Sequence, residues 1–326
     1  MITTRTPYRV SFFGGGTDFE EWFREHGGAF LSMAIDKYCY IHCRELPPFF
    51  DYKSRIVWSK IEQVNCSSEV THPVIRSALE MENIENVEIH HVGDLPARSG
   101  LGSSSAFTVG VLGALRSMKN DVSSARQLAL DAIHLERNLL KEAGGIQDQI
   151  ATAFGGLNYV NIKTDGTFEV QKINLSPDQR NEFEQSLLLV FTGIFRNSFE
   201  VADSQVRNIP QRRTQLQRLQ GLTAEARSLF SNSDFIRDFG LLLNETWAIK
   251  KELSTKITNS QVDMIYDTAI RAGAYGGKLL GAGAGGFMVF VVPARSREKV
   301  KKALHSLIQV PISIDEKGTV VDRGTF

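Results

Sequence analysis

At 326 residues, 42% hydrophobic and 23% charged, the chain has the composition of a soluble globular protein, long enough for two domains and neither disordered nor fibrous. Its 37 basic residues balance 37 acidic ones, which argues against nucleic-acid or membrane-surface partners while allowing a local basic pocket. No run reaches the roughly 20 apolar residues of a membrane span, the first ten residues read as a strand rather than a signal peptide, and Cys39, Cys43 and Cys66 lack disulfide or zinc spacing, so a cytoplasmic protein is expected.

A strand over 8–13 opens into Gly14, Gly15, Gly16, Thr17 and Asp18, followed by a short helix over 19–26. Alternation predicts strands over 30–44 and 87–91. PARSGLGSSSA, residues 96–106, then runs into an apolar helix ending near 118, and further helices are expected over 123–141 and from Gly144–Gly145 to Gly155–Gly156. Two strands around Asp165 and Gly166 read as a hairpin, and polar residues 175–185, with Pro177, read as a linker. Beyond it come a buried strand over 187–193, helices over 211–231, 234–253 and 261–272, a glycine-rich loop, a strand over 287–292, a helix over 296–307 and short terminal strands. The order predicts an α+β class with domains over 1–180 and 181–326.

The Gly/Ser turn carries the chemistry. Gly100 and Gly102 let the backbone bend close to an anion, which the free N–H groups and dipole of the following helix stabilise. Ser103, Ser104 and Ser105 add hydroxyls suited to phosphate oxygens or magnesium. A second candidate is Asp148, in GGIQDQ, and a third is Glu136, whose i±4 neighbours Ala132 and Leu140 set it on an apolar face. Asp148 could instead simply favour a helix start, and Glu136 could snorkel. Asp18 could cap the helix after it, and Arg9 could be a surface strand residue.

Taken together, TPYRVSFFGGGTD, PARSGLGSSSA and GGKLLGAGAGGFMVFVV resemble, in order, the three motifs of the GHMP small-molecule kinases. The GGGTD ending resembles the sugar 1-kinase branch that acts on heptose 7-phosphate or fucose. The resemblance implies a ribosomal S5-like N-terminal nucleotide-binding domain and a ferredoxin-like C-terminal domain. It implies ATP- and Mg²⁺-dependent phosphorylation of the anomeric C1 hydroxyl of D-glycero-D-manno-heptose 7-phosphate to the 1,7-bisphosphate, for lipopolysaccharide or capsule precursors. A fucose-type kinase and a non-catalytic sugar- and ATP-binding regulator are the alternatives.

By the same resemblance Asp148 is the catalytic aspartate that accepts or orients the proton of the sugar hydroxyl, and Arg9 is its cationic partner. Pro96, Arg98, Gly100, Leu101, Gly102 and Ser103 to Ser105 hold the nucleotide, and Ser104 with Glu136 holds Mg²⁺. Gly15, Gly16, Thr17, Asp18 and Gly283 meet the sugar, with Arg196 and Lys278 as candidate cations for its phosphate. Two residues depart from the family pattern: Arg9 stands where several members carry lysine, and Ala284 interrupts the third glycine run. The expected partner is the small sugar phosphate alone, without nucleic acid or membrane, in a monomer or homodimer.

Overall fold

The computed structural model describes residues 1–195 and 198–324. Strand β1 (Ile2–Phe13) ends in the first glycine turn, helix α1 (Glu20–His26) follows, and the long strand β2 (Gly28–Glu45) returns antiparallel to β1. Next come β3 (Ser54–Val57), β4 (Ile61–Val64), helix α2 (Pro73–Glu82) and β5 (Val87–Gly93). The first three of these lie in a stretch whose residue pattern predicts no element. Helix α3 (Ser103–Met118) follows the Gly/Ser turn, then α4 (Ala125–Ile133), α5 (Gln147–Phe154) and the hairpin β6 (Leu157–Ile162) and β7 (Phe168–Lys172).

In the second half lie α6 (Pro177–Ser186), β8 (Leu187–Phe191), α7 (Ser198–Asn208), α8 (Arg213–Leu229) and α9 (Ile236–Glu252). After them come α10 (Ser260–Ala272), β9 (Gly276–Leu279), β10 (Phe287–Val291), α11 (Arg297–Ala303), β11 (Ile308–Val310) and β12 (Val320–Arg323).

The first sheet runs β12-β1-β2-β5-β3-β4, with β6 and β7 branching from β2. This branching has a local cause: Asp36 and Lys37 fall out of register where Tyr8 opposes Ile35 and Pro7 opposes Tyr38. The extra residues bend β2, so that its first half pairs β6 and its second half pairs β5. The second sheet, β11-β8-β10-β9, is antiparallel throughout. β12 brings the chain back to β1, and residues 180–181, where the sequence places a domain division, fall inside α6.

Helix α3 is buried almost all round, with Val109, Leu112 and Leu115 fully inside the core beneath the first sheet. That core continues into the second half through phenylalanines: Phe12 and Phe13 of β1 each stack edge-on against Phe239 of α9 at 5.2 Å. Such pairs add roughly 1 kcal/mol each beyond their burial and hold β1 and α9 in fixed relation. Both elements carry site residues.

Two expectations are corrected here. The stretch 175–185 is not a linker but helix α6, opened by a capping box in which Ser176 and Gln179 satisfy each other's backbone amides. The helix expected over 123–141 starts at Ala125 and gives way to a π-helical turn at His134–Leu139. No helix among the described residues is long and apolar enough to cross a membrane.

Candidate active site

A cleft of about 750 Å³ opens between the Gly/Ser turn, the start of α5 and the end of α9. Gly100 and Gly102 both adopt positive φ, +83° and +70°. A Cβ on Gly100 would lie 2.4 Å from the Leu280 carbonyl of the third glycine loop, so the two loops approach backbone to backbone. No side chain caps α3, and Gly102, Ser103, Ser104 and Ser105 at its start line the cleft. An uncapped helix start of this kind stabilises a bound anion through unsatisfied N–H groups and the helix dipole.

Arg9, on β1, is almost fully buried and reaches across to α5. Its Nε and one terminal nitrogen donate to the two carboxylate oxygens of Asp148, each at 2.8 Å, and its other terminal nitrogen donates to Gly100 O at 2.6 Å. The forked contact fixes the plane of the carboxylate and ties it to the turn. Asp148 keeps 26% of its side chain exposed towards the cleft, enough to meet an acceptor hydroxyl. It also sits in the first turn of α5, so the dipole reading and the pairing with Arg9 hold together.

Glu136 lies in the π-helical turn, where Leu140 N–H bonds five residues back to Leu135 O. Turns of this kind, with an added residue, are common at working sites. Glu136 is 1% exposed; its Oε2 accepts from Ser105 Oγ at 3.0 Å and from Gln149, while Oε1 is buried without a partner. Burial pushes its carboxyl upward, against the pull of the neighbouring Arg137. A buried carboxylate oxygen left open, with the exposed Ser104 also lining the cleft, suits Mg²⁺, which takes few protein ligands and the rest from phosphate and water.

Asp18 is fully buried and borders the cleft. It does not cap α1, whose start has no side-chain cap; its Oδ1 instead accepts from Gly16 N–H at 2.9 Å and its Oδ2 from Gln147 N–H at 3.4 Å. Burial raises its carboxyl above the ordinary value, the Gly16 amide opposes that, and nearby Asp148 adds to it. Gly145 is obligatory opposite it, since a Cβ there would sit 1.6 Å from Asp18 Oδ2.

Among the other expected residues, Gly15, Gly16, Arg98, Gly102 and Ser105 border the cleft. Five do not. Pro96 is exposed outside it, and Leu101 is core, its carbonyl accepting from Arg9 N–H. The Thr17 hydroxyl, fully buried, lies 2.9 Å from Gly14 O and 2.8 Å from Ala29 O and braces the turn. Gly283 packs against the Ile257 backbone, where a Cβ would be 2.8 Å from Cα. Lys278 is buried with its ammonium donating to Ser11 O and Phe12 O, both at 2.9 Å, so it pins β9 beneath β1 rather than facing substrate. Arg196 lies outside the described residues. Ala284 adopts φ +70°, a left-handed conformation that costs a non-glycine residue strain where the run is interrupted.

The sequence reading missed three parts of the site. Lys250, near the end of α9, borders the cleft beside Gly15. Arg137 donates to Glu142 O and Gly145 O and so props the loop between the two acids. Also lining the cleft, Trp58, His72, His91 and Phe107 form an aromatic set with ring centroids 4.7–5.0 Å apart. Burial lowers the imidazole of His72 to about 4 and that of His91 in the same direction, so both rings are neutral at pH 7.

An uncapped helix start at the cleft, an arginine-held carboxylate tied to the same turn through Gly100 O and an open acidic oxygen together assemble what transfer of a phosphoryl group to a hydroxyl requires. The fold and site therefore define a small-molecule kinase. The lineage follows from family models: GHMP kinases N terminal domain matches residues 69–156 and GHMP kinases C terminal matches 229–309, together just over half of the chain. The chain belongs to the GHMP kinase family.

Among curated relatives it is 28% identical over 320 residues to the D-glycero-alpha-D-manno-heptose 7-phosphate kinase of Campylobacter jejuni, covering 93% of each. It is 29% identical to the bifunctional fucokinase/GDP-fucose pyrophosphorylase of Arabidopsis thaliana, over 91% of this chain and 30% of that one. Its fold matches the crystal structure of a D-glycero-D-manno-heptose 1-phosphate kinase from Bacteroides thetaiotaomicron with a TM-score of 0.80, at 23% identity and 100% coverage of both. Methanococcus jannaschii mevalonate kinase matches at 0.74 and 21% identity, over 97% and 98% of the two chains. The two-domain α+β fold implied by the three motifs is thereby established.

Proposed function

We propose that the protein transfers the γ-phosphoryl group of ATP to the anomeric hydroxyl of D-glycero-D-manno-heptose 7-phosphate, giving the 1,7-bisphosphate for lipopolysaccharide or capsule precursors. The observation that carries the reading is the forked Arg9–Asp148 pair anchored on the phosphate turn through Gly100 O. The likeness to the Campylobacter jejuni enzyme along nearly the whole of both chains supports the choice of sugar.

In this reading the triphosphate lies on the amides of α3 and the base stacks at the Trp58–Phe107 end. Asp18, rigid between Gly16 and Gln147, receives sugar hydroxyls. Asp148 accepts the proton of the C1 hydroxyl as its oxygen bonds to the γ-phosphorus, and the β–γ bridging oxygen leaves with ADP. Arg9 holds Asp148 in place and faces the charge on the transferring group. Mg²⁺, held by the Ser104 hydroxyl and Glu136 Oε1, would neutralise charge on the β and γ phosphates. Arg196, which the sequence sets between β8 and α7, is assigned to the sugar's own phosphate; Ala202 and Gln205 of α7 border the cleft.

Asp148→Asn is expected to lower kcat about a hundredfold or more while leaving the Kd for ATP within about twofold. Steady-state ADP release and nucleotide titration measure both. An unchanged kcat removes Asp148 from the reaction. Fucose turning over well where the heptose phosphate does not would replace the sugar assignment with a fucose-type one, and binding of ATP and sugar without ADP release would mark a regulator.

A further inference from the structure

Lys250 is 5% exposed, yet its side chain forms part of the cleft wall. Its ammonium makes one hydrogen bond, to Gly281 O at 2.6 Å, and no ion pair among the described residues. Among the described residues, two of its three N–H donors are therefore free. Its position is defined by all three glycine loops. Gly281 carries its acceptor and packs on Gly100 of the phosphate turn, and a Cβ on Gly15 of the first loop would lie 3.9 Å from Nζ. The charges close enough to act on it are Arg9 from β1, Asp18 from the first loop and Asp148 from α5, and Lys250 in turn acts on Lys278 of β9. Burying an unpaired cation is costly unless a ligand compensates.

We propose that Lys250 is a catalytic residue that contacts the phosphoryl group in flight, a second cation beside Arg9 supplied by the C-terminal half of the chain. This rests on the kinase reading above but not on the identity of the sugar. Arg9 has already committed three of its donors, to Asp148 and Gly100, whereas Lys250 has committed one. Each cation thus keeps two N–H groups among the described residues, and as negative charge collects on the equatorial oxygens of the transferring group, those of Lys250 add to those of Arg9 at the junction where nucleotide and acceptor meet. A lysine at the end of a helix also complements the helix dipole, but that role asks for no place in a cleft wall.

Burial beside Arg9 lowers the Lys250 ammonium to about 8, opposed by Asp18 and Asp148. The free enzyme therefore loses this cation in mild alkali. In wild type, kcat/KM is expected to fall above pH 8. Lys250→Arg, which stays protonated, should move or remove that limb while keeping measurable turnover. Lys250→Met should lower kcat about a hundredfold with KM for ATP changed less than about threefold.

A binding measurement separates this inference from the sugar assignment. Titration of ADP and Mg²⁺ with and without fluoroaluminate, a mimic of the phosphoryl group, is expected to show fluoroaluminate tightening ADP binding in wild type. In Lys250→Met the tightening should be at least tenfold smaller, with ADP alone binding equally to both proteins. Equal tightening in the two proteins, or an alkaline limb identical in wild type and Lys250→Arg, overturns the proposal whichever sugar is the acceptor.

Discussion

Glu136 shows at a single side chain what the site costs the fold. One carboxylate oxygen is satisfied and the other is buried and open, and burial raises its carboxyl above the ordinary 4.5. Asp18 is raised likewise above 3.8. For such groups the unfolded chain releases its proton at lower pH than the native protein does. Stability is therefore lost as pH rises from the ordinary value through the raised one, and it is greatest on the acid side of that window. Glu136→Gln, which can keep its acceptor towards Ser105, is expected to raise the melting temperature of the ligand-free protein at pH 7 and to flatten its fall between mild acid and neutrality. The same variant should lose the extra stabilisation that Mg²⁺ adds to bound ADP. Differential scanning calorimetry reads both effects; an unaltered Mg²⁺ increment would exclude Glu136 as a ligand.

At the level of elements, the loop over 142–145 lies between the π-helical turn that carries Glu136 and the helix that carries Asp148. Arg137 supports it from the π-helical turn, and Gly145 lets it press against Asp18. Gly145→Ala must displace one of the two, so the KM for sugar should rise at least tenfold while the Kd for ADP stays within about twofold. Isothermal titration with each ligand tests this, and equal loss of both affinities would indicate general unfolding of the loop instead. The same region marks where legibility ended. The Gly/Ser turn, α3, the hairpin and Asp148 were readable because glycine, turn and periodicity signals are local. A π-helical turn leaves no such signal, since Ala132, Glu136 and Leu140 fit an ordinary helix equally well. The aromatic end could not be read because Trp58, His72, His91 and Phe107 come from separate elements and meet only after folding. Helix α6 was readable and missed: Ser176, Pro177 and Gln179 spell a capping box with proline in the first turn.

Across the whole molecule, the Gly/Ser turn belongs to the first sheet's side and Lys250 to the second's. Phe12 and Phe13 against Phe239, and Lys278 beneath the carbonyls of Ser11 and Phe12, lock the halves together. Lys278→Met leaves two buried carbonyls without donors, at roughly 1–3 kcal/mol each. It should lower the melting temperature and leave the KM for the sugar phosphate within about threefold, whereas a selective rise in that KM would return Lys278 to the substrate. Phosphorus NMR of the reaction of ATP with D-glycero-D-manno-heptose 7-phosphate reads the chemistry itself. A new phosphate resonance coupled to the anomeric proton is expected, formed by wild type and lost in Asp148→Asn. ATP and sugar bound with no such resonance, or a phosphate at another carbon, would contradict an anomeric kinase built on the Arg9–Asp148 pair.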